Sequence, residues 1–429
     1  MAETVKPPQL KRELGVWGAT LMGLGSIVGT GIFVSIGIAT DVAGPAVILA
    51  IAFGAAVAIC NGLSSAQLAA NHPVSGGSYE YGYQYLTPKL GFTAGWMFLV
   101  AKSASAATAA LGFAGYLLNL LGVSASWVTP IAVLAVIGLT AIVLGGIRRS
   151  NTANTVIVVT TLLALGIFVL ACLPSFVTTG SANFTPFFTG SVQNVLQASA
   201  LMFVAYTGYG RIATMGEEAR SPRQTIPKAM IICLVVTMAL YLIVAIVSIG
   251  AVGSDVLAQA TQQQNSAPLE VVMRQVAGPS GAVIVAIGAI TAMLGVLLNL
   301  ILGLSRVVLA MGRRNDLPRA FANLNQSQTT PVLAVIGVGL AIGLLTLIGN
   351  VKTTWSFSAF SVLIYYAITN YAALQIPARQ TLFPRWISWL GLASCLFLAF
   401  WVETQVWLTG IALIAVGLIW HGVRQRRPG

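Results

Sequence analysis

The feature that most limits what this chain can fold into is the length of its uncharged apolar runs. A helix needs about 20 apolar residues to cross hydrocarbon. A window of that size picks out twelve candidate spans: 14–41, 44–70, 90–121, 127–147, 153–174, 191–217, 227–252, 280–311, 331–349, 353–376, 385–402 and 404–422. The weakest division is the last one, around Glu403. Only 7% of the 429 residues are charged, against about a quarter in a soluble domain. A water-facing surface cannot be covered at that rate, so the expected solvent is the bilayer and the expected fold class is an all-α polytopic membrane protein.

Charge placement gives the orientation. The net charge of +12 would suggest nucleic acid if it were clustered on a soluble face, but the basic residues sit in short loops between apolar runs. With twelve spans, 17 of the 22 Lys and Arg residues share the side of the termini. Arg274 and Lys352 take the other side, and Lys102, Arg211 and Arg306 fall within spans. The positive-inside rule then puts both termini in the cytoplasm. The expected organisation is a tail at 1–13, a core at 14–376, two additional helices within 377–422 and a second tail at 423–429. The first apolar run is too long for a signal peptide, so no cleavage is expected. The one long connection, 253–279, is polar and is expected to be external and partly helical.

Several chemistries have no support. Cys60, Cys172, Cys233 and Cys395 all lie in apolar stretches, without a CxxC or Cys/His cluster, and read as buried thiols. His72 and His421 lie at a helix end and in the C-terminal tail. No metal motif, cofactor motif or nucleophile–base pairing is visible, so neither metal, cofactor nor enzyme activity is expected.

Two spans carry glycine where a helix should be strongest. GSIVGTGIF (residues 25–33) lies in span 1, and FVAYTGYGR (203–211) in span 6, with Gly208 and Gly210 flanking Tyr209. Gly25 and Gly29 also make a GxxxG pattern, which close helix packing alone explains. Position favours more. Spans five apart cross in opposite directions, as in an inverted repeat whose site is built from broken helices, here repeats of about 14–174 and 191–376. Irregular backbone at that depth must face protein or a cavity. Past the span-1 break, the amides of Gly29, Thr30 and Gly31 present a helix N-terminus to an anion. Before the span-6 break, unpaired carbonyls near Val204 to Tyr206 suit an ammonium. An α-amino acid satisfies both.

These stretches, with AGPAVILAI, HPVSGGSYEYGYQYL and LSRVVLAMGRRNDLPRAFANLNQSQTTP, resemble amino-acid permeases of the amino acid–polyamine–organocation superfamily, near the cationic amino-acid transporter branch. The resemblance implies a five-plus-five inverted repeat, two extra C-terminal helices and alternating access. It also implies a carboxylate site at Thr30 and Gly31, and an ammonium site at carbonyls near Ile27 and from Phe203 through Val204 and Ala205 to Tyr206. Side-chain specificity would come from spans 3, 6, 8 and 10, with Met293 and Ser356 to Ser358 as candidate lining.

The departures from that family shape the substrate expectation. Gln67 stands where many relatives carry glutamate, Ala101 aligns with the span-3 glutamate of the cationic branch, and Gly210 follows Tyr209 where an acid is common. Thr161, or Thr160, takes the place of a span-5 lysine. No Asp or Glu lies in the middle of the first ten spans, and a cationic side chain buried there would lack a counter-charge. A neutral substrate is therefore expected over arginine, lysine or a polyamine, which stay as the alternative beside a non-transporting sensor. Lys102 either snorkels to the interface or replaces the missing span-5 lysine, yielding its proton as the cavity dries. A proton is then a candidate co-substrate. Sodium coupling is disfavoured, because GVLLNLILGL offers only Asn299 to a hard cation. Arg211 and Arg306 are gate or rim contacts with Glu217 and Glu218 as partners. Phe203, Tyr206 and Tyr209 form an aromatic gate or ordinary packing.

Overall fold

A computed structural model describes residues 14–74, 76–146, 151–213, 219–262, 266–325 and 330–425. Glu217 and Glu218 lie outside the described residues. Every regular element among the described residues is helical, and the one β-bridge pairs Leu14 with Ala219.

The first apolar run is two half-helices. α1 (Val16–Ile27) stops at Val28, whose backbone is extended (φ −78°, ψ 96°). After Gly29 the chain re-enters as a π-helical turn, Gly31–Ser35, and continues as α2 (Ile36–Ala43). α3 (Val47–Asn71) returns, followed by a short polar helix, α4 (Ser78–Tyr85). α5 (Pro88–Leu121) starts on the Thr87 hydroxyl, which accepts from the Leu90 amide, with Pro88 in its first turn. Pro fits there because that N–H has no helical partner. α6 (Val128–Leu144) and α7 (Asn151–Asn183) complete the first half.

The second half opens with α8 (Val192–Tyr206), capped reciprocally by Ser191 and Asn194. A 3-10 turn, Thr207–Tyr209, and α9 (Gly210–Ala213) follow. Next come α10 (Pro222–Val252), α11 (Ser254–Gln262) and α12 (Pro268–Arg313), the last broken at Gly278 (φ 70°, ψ −169°) before Pro279. The expected partly helical loop is thus α11 plus the first turns of α12. α13 (Val332–Ile348), α14 (Val351–Leu374), α15 (Arg385–Ala399) and α16 (Thr404–Gln425) finish the chain.

Eight helical segments of the described residues are long and apolar enough to cross a bilayer, and Val16–Ile27, Val332–Ile348 and Arg385–Ala399 are shorter apolar helices. α7 runs past its expected end at residue 174, through Pro174. Tertiary bonds explain the extension: the Thr179 hydroxyl and the Asn183 amide both donate to the Gly250 carbonyl at the end of α10, each at 2.9 Å. α5 lies at the centre, between α14 and α12. From Ala101 to Ala110 it carries only Ala, Ser and Thr besides Lys102, and all are buried. Small side chains let neighbouring backbones approach closely. By contrast, Leu134, Leu340, Leu344 and Ile419 are exposed, on helices that line the rim. Cys172, Cys233 and Cys395 are buried, whereas Cys60 is only partly so.

Candidate functional site

The two interrupted helices touch at their interruptions. A Cβ on Gly208 would lie 2.3 Å from the Ser26 carbonyl oxygen, so only glycine lets the span-6 turn sit on the last turn of α1. Ile27, Thr30, Phe203, Val204, Ala205 and Tyr206 are all buried around this contact, as are Gly29 and Gly31. Gly25 and Gly29 face different neighbours, Asn154 of α7 and Val296 of α12. Close packing and the interruption therefore coexist in the same glycines.

Beyond the break, the amides of Ile32 and Phe33 both return to the Gly29 carbonyl at 3.1 Å. The first amides of a helix have no partner within it, and those of Thr30 and Gly31 hold that place. The Thr30 hydroxyl is buried and has no hydrogen-bond partner in the protein. A buried, unsatisfied hydroxyl is costly and marks where a polar guest would be held.

The sequence led us to expect unpaired carbonyls at the other break, but those of Val204 and Ala205 have partners. The span-6 interruption is a 3-10 turn, so the Val204 carbonyl takes the Thr207 amide and, at 2.7 Å, the Thr207 hydroxyl. The Ala205 carbonyl accepts from the Tyr241 hydroxyl at 3.0 Å, and the same hydroxyl lies 3.1 Å from the Ile27 carbonyl. Tyr241, on α10, thereby spans both interruptions. It stands alone in an apolar run, TMALYLIVAIV, and no spacing rule singles it out. Gly31 makes room for it, since a Cβ there would lie 2.4 Å from the Tyr241 hydroxyl oxygen.

Lys102 does not snorkel. It is buried, and its Nζ donates to the Thr207 hydroxyl at 2.8 Å, joining α5 to the span-6 turn. Thr161 is buried on α7, where its hydroxyl is spent on the Ile157 carbonyl of its own helix. The aromatic residues divide between two tyrosines. Tyr206 packs against Tyr241 with ring centroids 5.0 Å apart, while Phe203 and Tyr209 lie 5.8 and 5.4 Å from Tyr366 of α14. Arg211 is half-buried on α9. Ser358 pairs with Ser105 across α14 and α5 at 2.7 Å, whereas the buried Ser356 hydroxyl has no partner in the protein. Gln67 reaches Ser388 of α15 rather than the breaks.

Both ends of the site are covered. On the α2 side, the Tyr116 hydroxyl donates to the Phe33 carbonyl at 2.6 Å and accepts from the Leu269 amide at 3.3 Å. Asp41 takes Lys352 at 2.8 Å and Gln262 at 2.7 Å. On the α4 side, the Arg220 amide donates to the Leu14 carbonyl at 3.1 Å. Asp316 is buried and accepts from the hydroxyls of Tyr79 and Tyr83, each at 2.7 Å. Burial, then the bond to Asp316, holds both phenols above their ordinary pKa. His421 is no part of a solvated tail: it is buried on α16, stacked on Phe92, with Nδ1 3.2 Å from Asp316. An apolar cleft lined by Ile59, Gly62, Met230, Leu234, Val235 and Phe383 includes no residue of either break.

Residues 14–420 match the family model described as "Amino acid permease". The chain is 40% identical over 423 residues to an uncharacterized transporter of Mycobacterium tuberculosis (strain ATCC 25618 / H37Rv), covering 98% of this chain and 92% of that one. It is 26% identical to the branched-chain amino acid permease BcaP of Bacillus subtilis (strain 168), over 100% of this chain and 96% of that one. Among solved structures, MhsT in complex with L-phenylalanine is similar, with a TM-score of 0.65 at 16% identity, covering 96% of this chain and 100% of that chain.

Proposed function

This chain belongs to the amino acid permease family, and from that premise we propose that it is a secondary carrier of a neutral, small or apolar α-amino acid working by alternating access. The observation that carries this reading is the buried Thr30 hydroxyl without a partner, beside the helix start at Gly31. A carboxylate placed there accepts from the hydroxyl and the two amides. The α-ammonium is then directed to the carbonyls of Ile27 and Ala205, on the facing interruption. Twelve spans in two inverted five-helix repeats, with α15 and α16 appended and both termini in the cytoplasm of a cell membrane, fit this reading. Among the described residues, Asp41, Glu80 (on α4, paired with Arg314), Glu270 (in the first turn of α12, paired with Arg274) and Asp316 belong to the covers of the site and not to its middle. A guanidinium or ammonium side chain held at the breaks would meet none of these four carboxylates.

Lys102 is the proposed coupling group. It is a cation fixed on Thr207, whose hydroxyl supports the Val204 carbonyl in the span-6 turn. Loss of its proton removes that charge and frees the turn to shift, which links a proton to the movement. Thr161 belongs to this proposal only as the residue beside which no span-5 lysine is needed. Tyr209 and Arg211 follow the same turn and are proposed to move with it.

The test is flux through purified protein in liposomes. Labelled leucine is expected to enter saturably and faster when unlabelled leucine is inside. Transport of arginine that excess alanine and leucine fail to inhibit overturns the neutral reading. Binding without flux, seen as a ligand-dependent rise in melting temperature, replaces the carrier by a sensor. For coupling, Lys102→Gln is expected to abolish accumulation driven by a pH gradient while sparing leucine exchange; retained accumulation excludes Lys102.

A further inference from the structure

The carbonyls of Ile27 and Ala205 are the acceptors that the proposed function gives to the substrate ammonium, and a side chain of the protein already reaches both. The Tyr241 hydroxyl lies 3.1 Å from the first and 3.0 Å from the second. It is fully buried, and its ring is held by Tyr206 at 5.0 Å between centroids. Room for it in front of the breaks depends on Gly31, whose missing Cβ would fall 2.4 Å from the hydroxyl oxygen. Two consecutive requirements of the sequence, a glycine in GTG and a tyrosine on another span, therefore meet at one oxygen atom.

The chemistry of the two donors ranks them. A phenol has one proton for two acceptors, whereas an ammonium has three and carries a full charge, which makes its bonds stronger. The amine of a substrate therefore outcompetes the hydroxyl. On the unloaded leg of a transport cycle the order reverses: no amine is present, the site dries as it closes, and both carbonyls need a donor. A buried acceptor left without one opposes closure. A carrier lacking any substitute donor can cross only when loaded, and so can only exchange.

We propose that Tyr241 is the stand-in for the substrate ammonium, a positioning residue that satisfies the two broken helices during the unloaded crossing and thereby permits net transport. It holds the interruptions at the spacing the amine will need, and yields when the amine arrives. The inference rests on the proposed amino-acid site and adds to it the transport mode: net movement of substrate, with exchange as the faster partial reaction. Thr207 plays no such part, because its hydroxyl and amide serve Val204 within the same turn.

The discriminating experiment compares two modes in the same liposomes: entry of labelled leucine into empty vesicles, and into vesicles loaded with unlabelled leucine. Only the first requires the unloaded crossing. Tyr241→Phe keeps the ring and removes the donor. The ratio of its net entry to its loaded exchange is expected to fall about tenfold, the scale set by leaving one buried acceptor unpaired. Exchange also reports that the variant is folded. Tyr241→His, which returns a ring N–H, is expected to recover part of the net entry. A parallel fall of both modes in Tyr241→Phe, or no fall in either, overturns the role of Tyr241 and leaves the substrate site untouched. Failure of the wild type to move leucine in either mode defeats the carrier reading itself.

Discussion

Thr30 and Gly208 show how much single atoms decide in this site. The Thr30 hydroxyl is the group whose removal separates binding from stability. Thr30→Val preserves the shape and deletes an unsatisfied buried oxygen, so the melting temperature of the unliganded protein is expected to hold or rise. Leucine affinity, read as the ligand-induced melting shift, is expected to fall about tenfold, the loss of one bond to a charged group. A fall in both would make the hydroxyl structural. Gly208→Ala acts through backbone: its methyl would stand 2.3 Å from the Ser26 carbonyl, with no flexible side chain to give way. Flux in both modes is expected to drop by at least about tenfold through misplacement of the facing break, since small displacements of a binding geometry are costly. Both residues were legible, because glycine in a long apolar run is a visible anomaly. Tyr241 was not, since a tyrosine in such a run is compositionally ordinary and its two acceptors lie 214 and 36 residues away.

At the scale of elements, the all-helical, apolar character of the chain was readable from hydropathy and the covers were not. The polarity of α11 and the first turns of α12 was evident, but their docking depends on contacts across the chain. Tyr116 of α5 links the first turn of α12 to the π-turn, and Glu270 in that same turn is fully buried, paired with Arg274 at 2.7 Å. Burial holds the Glu270 carboxyl above its ordinary value, with Arg274 and Asn119 opposing that rise. The sign follows from linkage. A carboxyl whose folded value is raised favours the folded state fully below its unfolded value of about 4.3, and this support is lost as pH climbs through the raised value. Glu270→Gln is expected to remove the part of the melting-temperature decline that occurs from about pH 4 upward, with no loss of stability at pH 7. An unchanged pH profile would assign that decline to other groups. The span-6 turn taught a similar lesson. Glycines located it, but the sequence implied a gap with free carbonyls, whereas the chain tightens into a 3-10 turn and fills them from Thr207 and Tyr241.

Across the whole molecule, the covers at the two ends are built differently, and this difference predicts which one governs access. The pair on the α2 side, Lys352 and Asp41, is partly exposed, with 43% and 12% of the side chains accessible. Such a pair contributes about 1 kcal/mol at most. The cover on the α4 side is buried: Asp316 gathers Tyr79 and Tyr83 from α4 and His421 from α16. Trp420 and Arg424 add bonds to the backbone carbonyls of Asp316 and Leu317, both at 2.8 Å. α16 is thereby bolted to the cover on the α4 side, a link that hydropathy could not reveal because His421 reads as the start of a tail. Asp316→Asn keeps the shape but weakens the bonds from both phenols and the contact with His421. It is expected to shift the population toward the form open on that side, since a two-state equilibrium moves by the difference in stabilisation of its two forms. A reporter exists at Ser78 of α4, which is buried against Thr369 at 2.6 Å. In a Cys60→Ala background, Ser78→Cys is expected to react with a membrane-impermeant thiol reagent applied from the cytoplasmic side at least about fivefold faster when Asp316→Asn is present, the response to about 1 kcal/mol of relative stabilisation. Lys352→Gln in the same background is expected to change that rate by less, because breaking an exposed pair removes little from either form. Equal acceleration by both substitutions would mean that the two covers are energetically matched, and that the buried cluster around Asp316 has no special hold on the cycle.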